Sequence, residues 1–68
     1  MYTLRALDIE GNIYWYTGKA GPAWLSTKAA NAFVYEDKEL AQYRATTFNR
    51  KEPIHGYWFI AVMQEAVQ

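Results

Sequence analysis

Apolar, β-branched and aromatic positions gather at the start of the chain in two runs, residues 2–8 (YTLRALD) and 12–18 (NIYWYTG), separated by the turn-forming stretch IEGN. Gly11 and Asn12 both tolerate a positive φ, so the two runs predict a β-hairpin. A third apolar run, residues 57–64 (YWFIAVMQ), alternates in both phases: Tyr57, Phe59, Ala61 and Met63 fall on one face, Trp58, Ile60 and Val62 on the other. A strand apolar at both parities is covered on both sides. One helix covers one face of a small sheet, so the second face needs the 19–32 loop with Trp24 and Leu25, a dimer mate or a binding partner.

Between these strands, EDKELAQYRATTFNR (residues 36–50) carries the marks of a helix. Glu36, Asp37 and Glu39 open it, Arg44 and Arg50 close it, and both ends complement the helix dipole. Asp37 is the expected N-cap. At 3.6-residue spacing Ala41, Arg44, Ala45 and Phe48 share a face flanked by Leu40, so the buried stripe is mostly small. Pro53, with the restricted residue before it, ends the helix within residues 49–53. The stretch KAGPAWLSTKAAN (residues 19–31) is ambiguous, because Pro22 suits either the first position of a short helix or a stiffened loop. It is read as a loop with extended pieces at residues 24–26 and 32–35. The expected architecture is α+β: one domain spanning residues 1–68, a small antiparallel sheet of three to four strands with one helix on one face, in the order β-β-(β)-α-β.

Composition narrows the function. A chain of 68 residues buries roughly 60% of the surface it exposes unfolded, so its core is thin. It has no cysteine, which excludes disulfides and thiolate zinc sites and fits a reducing cytoplasm. No run approaches the roughly 20 apolar residues of a membrane span, and no signal-peptide pattern opens the chain, which is read as soluble and complete. Seven basic residues balance seven acidic ones, leaving no net field to draw nucleic acid or anionic lipid. The excess is aromatic, with three Trp, six Tyr and three Phe. Tyr and Trp are prominent at interface hot spots.

Several site motifs fail on spacing. In the GKAG stretch Ala20 follows Lys19 where a phosphate loop needs Ser or Thr, and six residues separate Gly11 from Gly18 where four belong. Neither a third glycine nor a βαβ unit supports a dinucleotide loop. The stretch HGYWFIAV (residues 55–62) matches an RNA-recognition strand at Gly56, Tyr57 and Phe59 but breaks it at Trp58 and Val62. A triad of Ser26, His55 and Asp8 or Asp37 has no supporting spacing, and the carboxylates lack metal-ligand spacing. No catalytic, cofactor-binding or metal-binding residue is assigned, and no cofactor is expected.

The stretches YTGKAGPAWLST, AFVYEDKELAQYRATTFNR and PIHGYWF together resemble short accessory proteins encoded in phage and prophage regions. The resemblance, over residues 14–60, implies a counter-defence factor of the anti-CRISPR kind, in the cytoplasm of a bacterial host. Such factors bind a protein complex and block it. The expected function is therefore a non-enzymatic protein-binding module that inhibits a host protein complex by steric occlusion, with Tyr14, Tyr16, Trp24 and Trp58 as partner-binding anchors. A different strand parity centres the set on Trp15, Tyr57 and Phe59 instead. The alternative is single-stranded nucleic-acid binding on the aromatic sheet face, with Tyr57 and Phe59 stacking on bases and Arg44, Arg50 and Lys51 on phosphates.

Overall fold

The computed structural model describes residues 1–50 and 56–64. Strands β1 (Tyr2–Leu7) and β2 (Ile13–Tyr16) form the expected hairpin, in the register Leu7↔Ile13, Ala6↔Tyr14 and Arg5↔Trp15. Its turn is set by Asp8 and Gly11. The Asp8 carbonyl accepts from the Gly11 N–H at 3.0 Å, and its carboxylate accepts from the N–H groups of Glu10 (2.9 Å) and Asn12 (2.8 Å) and from Asn12 Nδ2 (3.0 Å). Gly11 alone takes the left-handed conformation, at φ 88°, because a three-residue loop needs one such residue and no more.

The following segment is helical in two short pieces. Pro22 sits in the first turn of a 3₁₀ helix, Gly21–Trp24, where its missing N–H costs nothing. Thr17 ties this turn back to the end of β2, its N–H donating to the Trp24 carbonyl at 2.9 Å and its hydroxyl to the Ala23 carbonyl at 2.6 Å. The extended piece expected at residues 24–26 contracts to β3 (Leu25–Ser26), paired with β2. A second 3₁₀ turn, Ala29–Asn31, follows. The piece expected at residues 32–35 reduces to an antiparallel bridge between Tyr35 and Tyr2, with both N–H···O bonds at 2.7 Å.

Helix α1 (Lys38–Asn49) is capped by Asp37, whose carboxylate accepts from the Glu39 N–H at 2.9 Å. The chain then returns as β4 (Trp58–Met63), antiparallel to β1. The sheet order is β3-β2-β1-β4, and α1 packs on one face against β4 and β1. The fold is α+β, with the helix on a four-stranded antiparallel sheet. Ala41 and Ala45 are buried against a core of Leu4, Ala6, Tyr35 and Phe59. Leu40 and Arg44, expected on or beside the buried stripe, are exposed. The alanines bring the helix so close to the sheet that only a narrow line of it is enclosed.

Ladder parity fixes which way the backbone of β4 faces. The Gln64 N–H donates to the Met1 carbonyl at 2.8 Å, so residues 58, 60 and 62 point their peptide groups at β1 and residues 59, 61 and 63 point theirs outward. At Phe59 the outward groups are taken by one side chain. Asn49 Oδ1 accepts from the Phe59 N–H at 2.7 Å, and Asn49 Nδ2 donates to the Phe59 carbonyl at 3.0 Å. The last residue of the helix thus imitates a neighbouring strand for one rung.

The hairpin turn has a pH signature. The hydrogen bond from the Asn12 side chain, joined by the backbone N–H donors, holds the Asp8 carboxyl below its ordinary 3.8. A lowered folded-state value contributes stability that is present above the ordinary value and lost as the pH falls through the folded one. In urea unfolding measured from about pH 5 down to about pH 2, the stability advantage of the wild type over Asp8→Asn is expected to shrink. A constant difference across that window contradicts the assignment.

Candidate functional site

The alternating phase of β1, β2 and β4 sorts the aromatic candidates onto two faces. Tyr14, Tyr16, Trp24, Tyr57 and Phe59 lie on the helix side and pack with Phe48 into one cluster. Phe48 stacks on Phe59 with ring centroids 4.6 Å apart and interplanar angle 29°. Tyr16 meets Phe48 edge-on at 5.0 Å, and Tyr14 meets Tyr57 at 5.6 Å. Trp24 touches Phe48, Tyr57 and Phe59 at 5.9, 5.8 and 5.7 Å. Of the 19–32 loop, expected together with a dimer mate or a binding partner as the possible cover of the second face, the part with Trp24 therefore packs on the helix side, while Ala29 and Ala30 reach the other face. Three of the four expected anchors, Tyr14, Tyr16 and Trp24, belong to this cluster. The fourth, Trp58, faces the other way.

The face without a helix is built in rows by strand register: Ile13–Leu7–Trp58, then Trp15–Arg5–Ile60, then Thr3–Val62. Trp58 is 53% and Ile13 48% exposed. At the opposite end the second 3₁₀ turn folds over: Thr3, 3% exposed, lies with Trp15, Ala29, Ala30 and Val62 around a groove of about 470 Å³. Among the described residues, Arg5 is the sole charged side chain on these rows. Its Nε is buried and has no hydrogen-bond partner there. A guanidinium set between Trp15 and Ile60, with one donor shielded from water, is stabilised by an acceptor brought from outside.

The described residues of the nucleic-acid alternative lie on the helix and on the sheet face it packs against. Phe59 is 2% exposed and one of its ring faces is stacked on Phe48. The Arg44 guanidinium carbon lies 6.0 Å from the Phe48 centroid, and Arg50 is the helix C-cap. Lys51 and His55 lie outside the described residues. The other polar groups weighed for catalysis have local bonds: the Ser26 hydroxyl accepts from the Lys28 N–H (3.1 Å) and from Asn31 Nδ2 (3.0 Å), while Asp8 and Asp37 hold the hairpin turn and the helix cap. No group of three His, Cys, Asp or Glu among the described residues is placed to hold a metal ion. No helix among them is long and apolar enough to cross a membrane.

A second concavity, about 600 Å³, opens between α1 and residues 33–36, lined by Tyr16, Phe33, Tyr35, Leu40 and Arg44 among others. Burial pushes the Tyr35 phenol above its ordinary value, with the neighbouring Tyr16 adding to the shift and Arg44 opposing it. A neutral phenol beside a guanidinium, with Glu36 and Asp37 in the lining, assembles no nucleophile and base. Comparison of the chain with protein-family models, curated proteins and solved structures returns no match.

Arg5, Leu7 and Ile13 were absent from the expected anchors because, one strand at a time, they look like ordinary hairpin positions. Register supplies the signal: once Arg5 pairs with both Trp15 and Ile60, all three point away from the helix. Stability separates the two faces. Trp58→Lys is expected to change unfolding free energy by no more than about 0.5 kcal/mol, whereas Phe59→Ala costs about 3–5 kcal/mol, both read from urea titrations followed by circular dichroism. Comparable losses for the two variants contradict the division of faces.

Proposed function

We propose that this chain is a non-enzymatic protein-binding module that docks through the helix-free face of its sheet. The observation that carries this reading is the exposed pair Trp58 and Ile13 on the row next to that of Arg5, whose shielded Nε has no partner among the described residues. A large ring with an aliphatic neighbour and a buried-edge arginine is the make-up of an interface hot spot, in which apolar contact excludes water around one strong polar bond. The anchors are Trp58, Ile13, Trp15 and Arg5, with Tyr14, Tyr16 and Trp24 supporting the sheet from behind. Zero net charge and, among the described residues, one cation on these rows favour a protein over a polyanion.

The resemblance of residues 14–60 to phage and prophage accessory proteins supports a bacterial host complex as the target. Inhibition then follows from occlusion: a rigid sheet seated on the complex excludes whatever that surface normally meets. The test is affinity capture from host lysate on the immobilised wild type, followed by titration of the captured protein. Trp58→Ala and Arg5→Ala are each expected to weaken its binding about 30-fold or more, the loss typical of a hot-spot truncation. A captured protein whose affinity ignores both substitutions but falls with Tyr43→Ala, on the outer surface of α1, moves the site to the helix and rejects the proposal.

A further inference from the structure

The outer edge of β4 presents backbone groups rather than the side chains of the open face. β4 pairs with β1 on one side, and its sequence WFIAVM has no charge, proline or glycine. Those are the features that normally keep a sheet edge from pairing with another chain. Among the described residues a single guard is present, the Asn49 amide on Phe59. Beyond it the outward-facing peptide groups of Ala61 and Met63 meet no backbone partner among the described residues. Met63 is 65% exposed.

The free rungs are symmetric about Val62. An antiparallel second copy placed with a two-fold axis normal to the sheet through Val62 pairs Ala61 with Met63 of the other copy, and Met63 with its Ala61. Both are hydrogen-bonded pairs, since all four residues point their N–H and C=O groups outward. Val62 then meets its own counterpart in a non-hydrogen-bonded pair, where side chains lie closest and two β-branched residues pack well. Ile60 falls opposite Gln64, so no charge opposes a charge. Asn49 of each copy ends the added ladder at the guarded rung. A face-to-face arrangement lacks this fit, because a two-fold axis near the middle of the open face sets the two Arg5 side chains against each other.

We infer that the free edge of β4 at Ala61–Met63 is a self-association site, taking β4 of a second copy of this chain in antiparallel register centred on Val62. The two sheets become one of eight strands, with both helix-free faces on the same side. The contact is small, so the dimer is weak and concentration-dependent.

Sedimentation equilibrium of the full chain, taken up to about 1 mM, where a Kd near that value still gives substantial dimer, is expected to move from the 7.9 kDa of one chain toward twice that mass. Val62→Lys and Val62→Glu are each expected to remain monomeric, and an equimolar mixture to regain the dimer, because residue 62 meets its own copy. The chain has no cysteine, so Val62→Cys offers a direct probe that does not depend on how the charged variants fold. With oxidised glutathione as oxidant it is expected to form a disulfide-linked dimer at least tenfold faster than Trp58→Cys, which sits on the open face. Three results overturn the inference: a wild type monomeric throughout, a dimer in which the folded Lys and Glu variants fail to complement each other, or equal crosslinking rates at positions 62 and 58.

Discussion

The close approach of α1 to the sheet governs the arrangement of the rest. Ala41 and Ala45 on the helix meet Leu4 and Ala6 on the sheet, and small side chains on both surfaces leave little distance between the two backbones. Further along the same helix face the packing passes from alanine to Phe48. There Phe48, Phe59, Trp24, Tyr57 and Tyr16 pack together, their rings meeting at edge-on, tilted and stacked angles. This packing holds the 3₁₀ turn with Trp24 on the helix side. The same packing leaves the opposite face to its own side chains.

On that opposite face the energetic question is how a thin protein tolerates apolar surface in water. Part of the answer is local: the Ala29–Asn31 turn shields Thr3 and flanks Val62 and Trp15. The remainder, toward Trp58 and Ile13, is uncovered. Arg5 supplies the one charge on these rows among the described residues. Its shielded Nε is the weak point, because a donor withdrawn from water without an acceptor carries a desolvation penalty of about 1–3 kcal/mol. In the proposed complex a partner's acceptor removes that penalty while Trp58 is buried, so the two features that cost the free chain stability would favour the bound state.

Much of this was legible in the sequence. The hairpin, the Asp37 cap, the alanine stripe, the helix end and the two-phase apolar pattern of the last strand are all properties of local spacing, and each has the expected place in the fold. The 3₁₀ turns at residues 21–24 and 29–31 were not, because Pro22 is equally at home in a loop and a first helical turn, and the deciding bonds come from Thr17. The expected anchors fall on two faces for a related reason. Tyr14 and Tyr16 share a strand with Trp15, and alternation puts them on opposite faces, but nothing in a single strand says which face the helix takes. That depends on the long-range pairing Arg5↔Ile60 and on Trp24 joining the ring cluster. The Asn49 guard was likewise hidden, since the residue it serves lies ten positions on, past the end of the helix.

The guard on Phe59 also bears on why the edge and the face coexist in so small a chain. Closing every free rung of β4 requires either another strand or charged and proline residues along it. Charge at positions 60 or 62 falls on the helix-free face, and charge at 61 falls against the helix. On a strand that is apolar at both parities, a backbone-directed side chain blocks pairing without altering either surface. Asn49 reaches a single rung because the helix ends there. The rungs at Ala61 and Met63, unpaired among the described residues, therefore follow from a helix of 12 residues that ends beside Phe59 in a sheet whose last strand has no polar face.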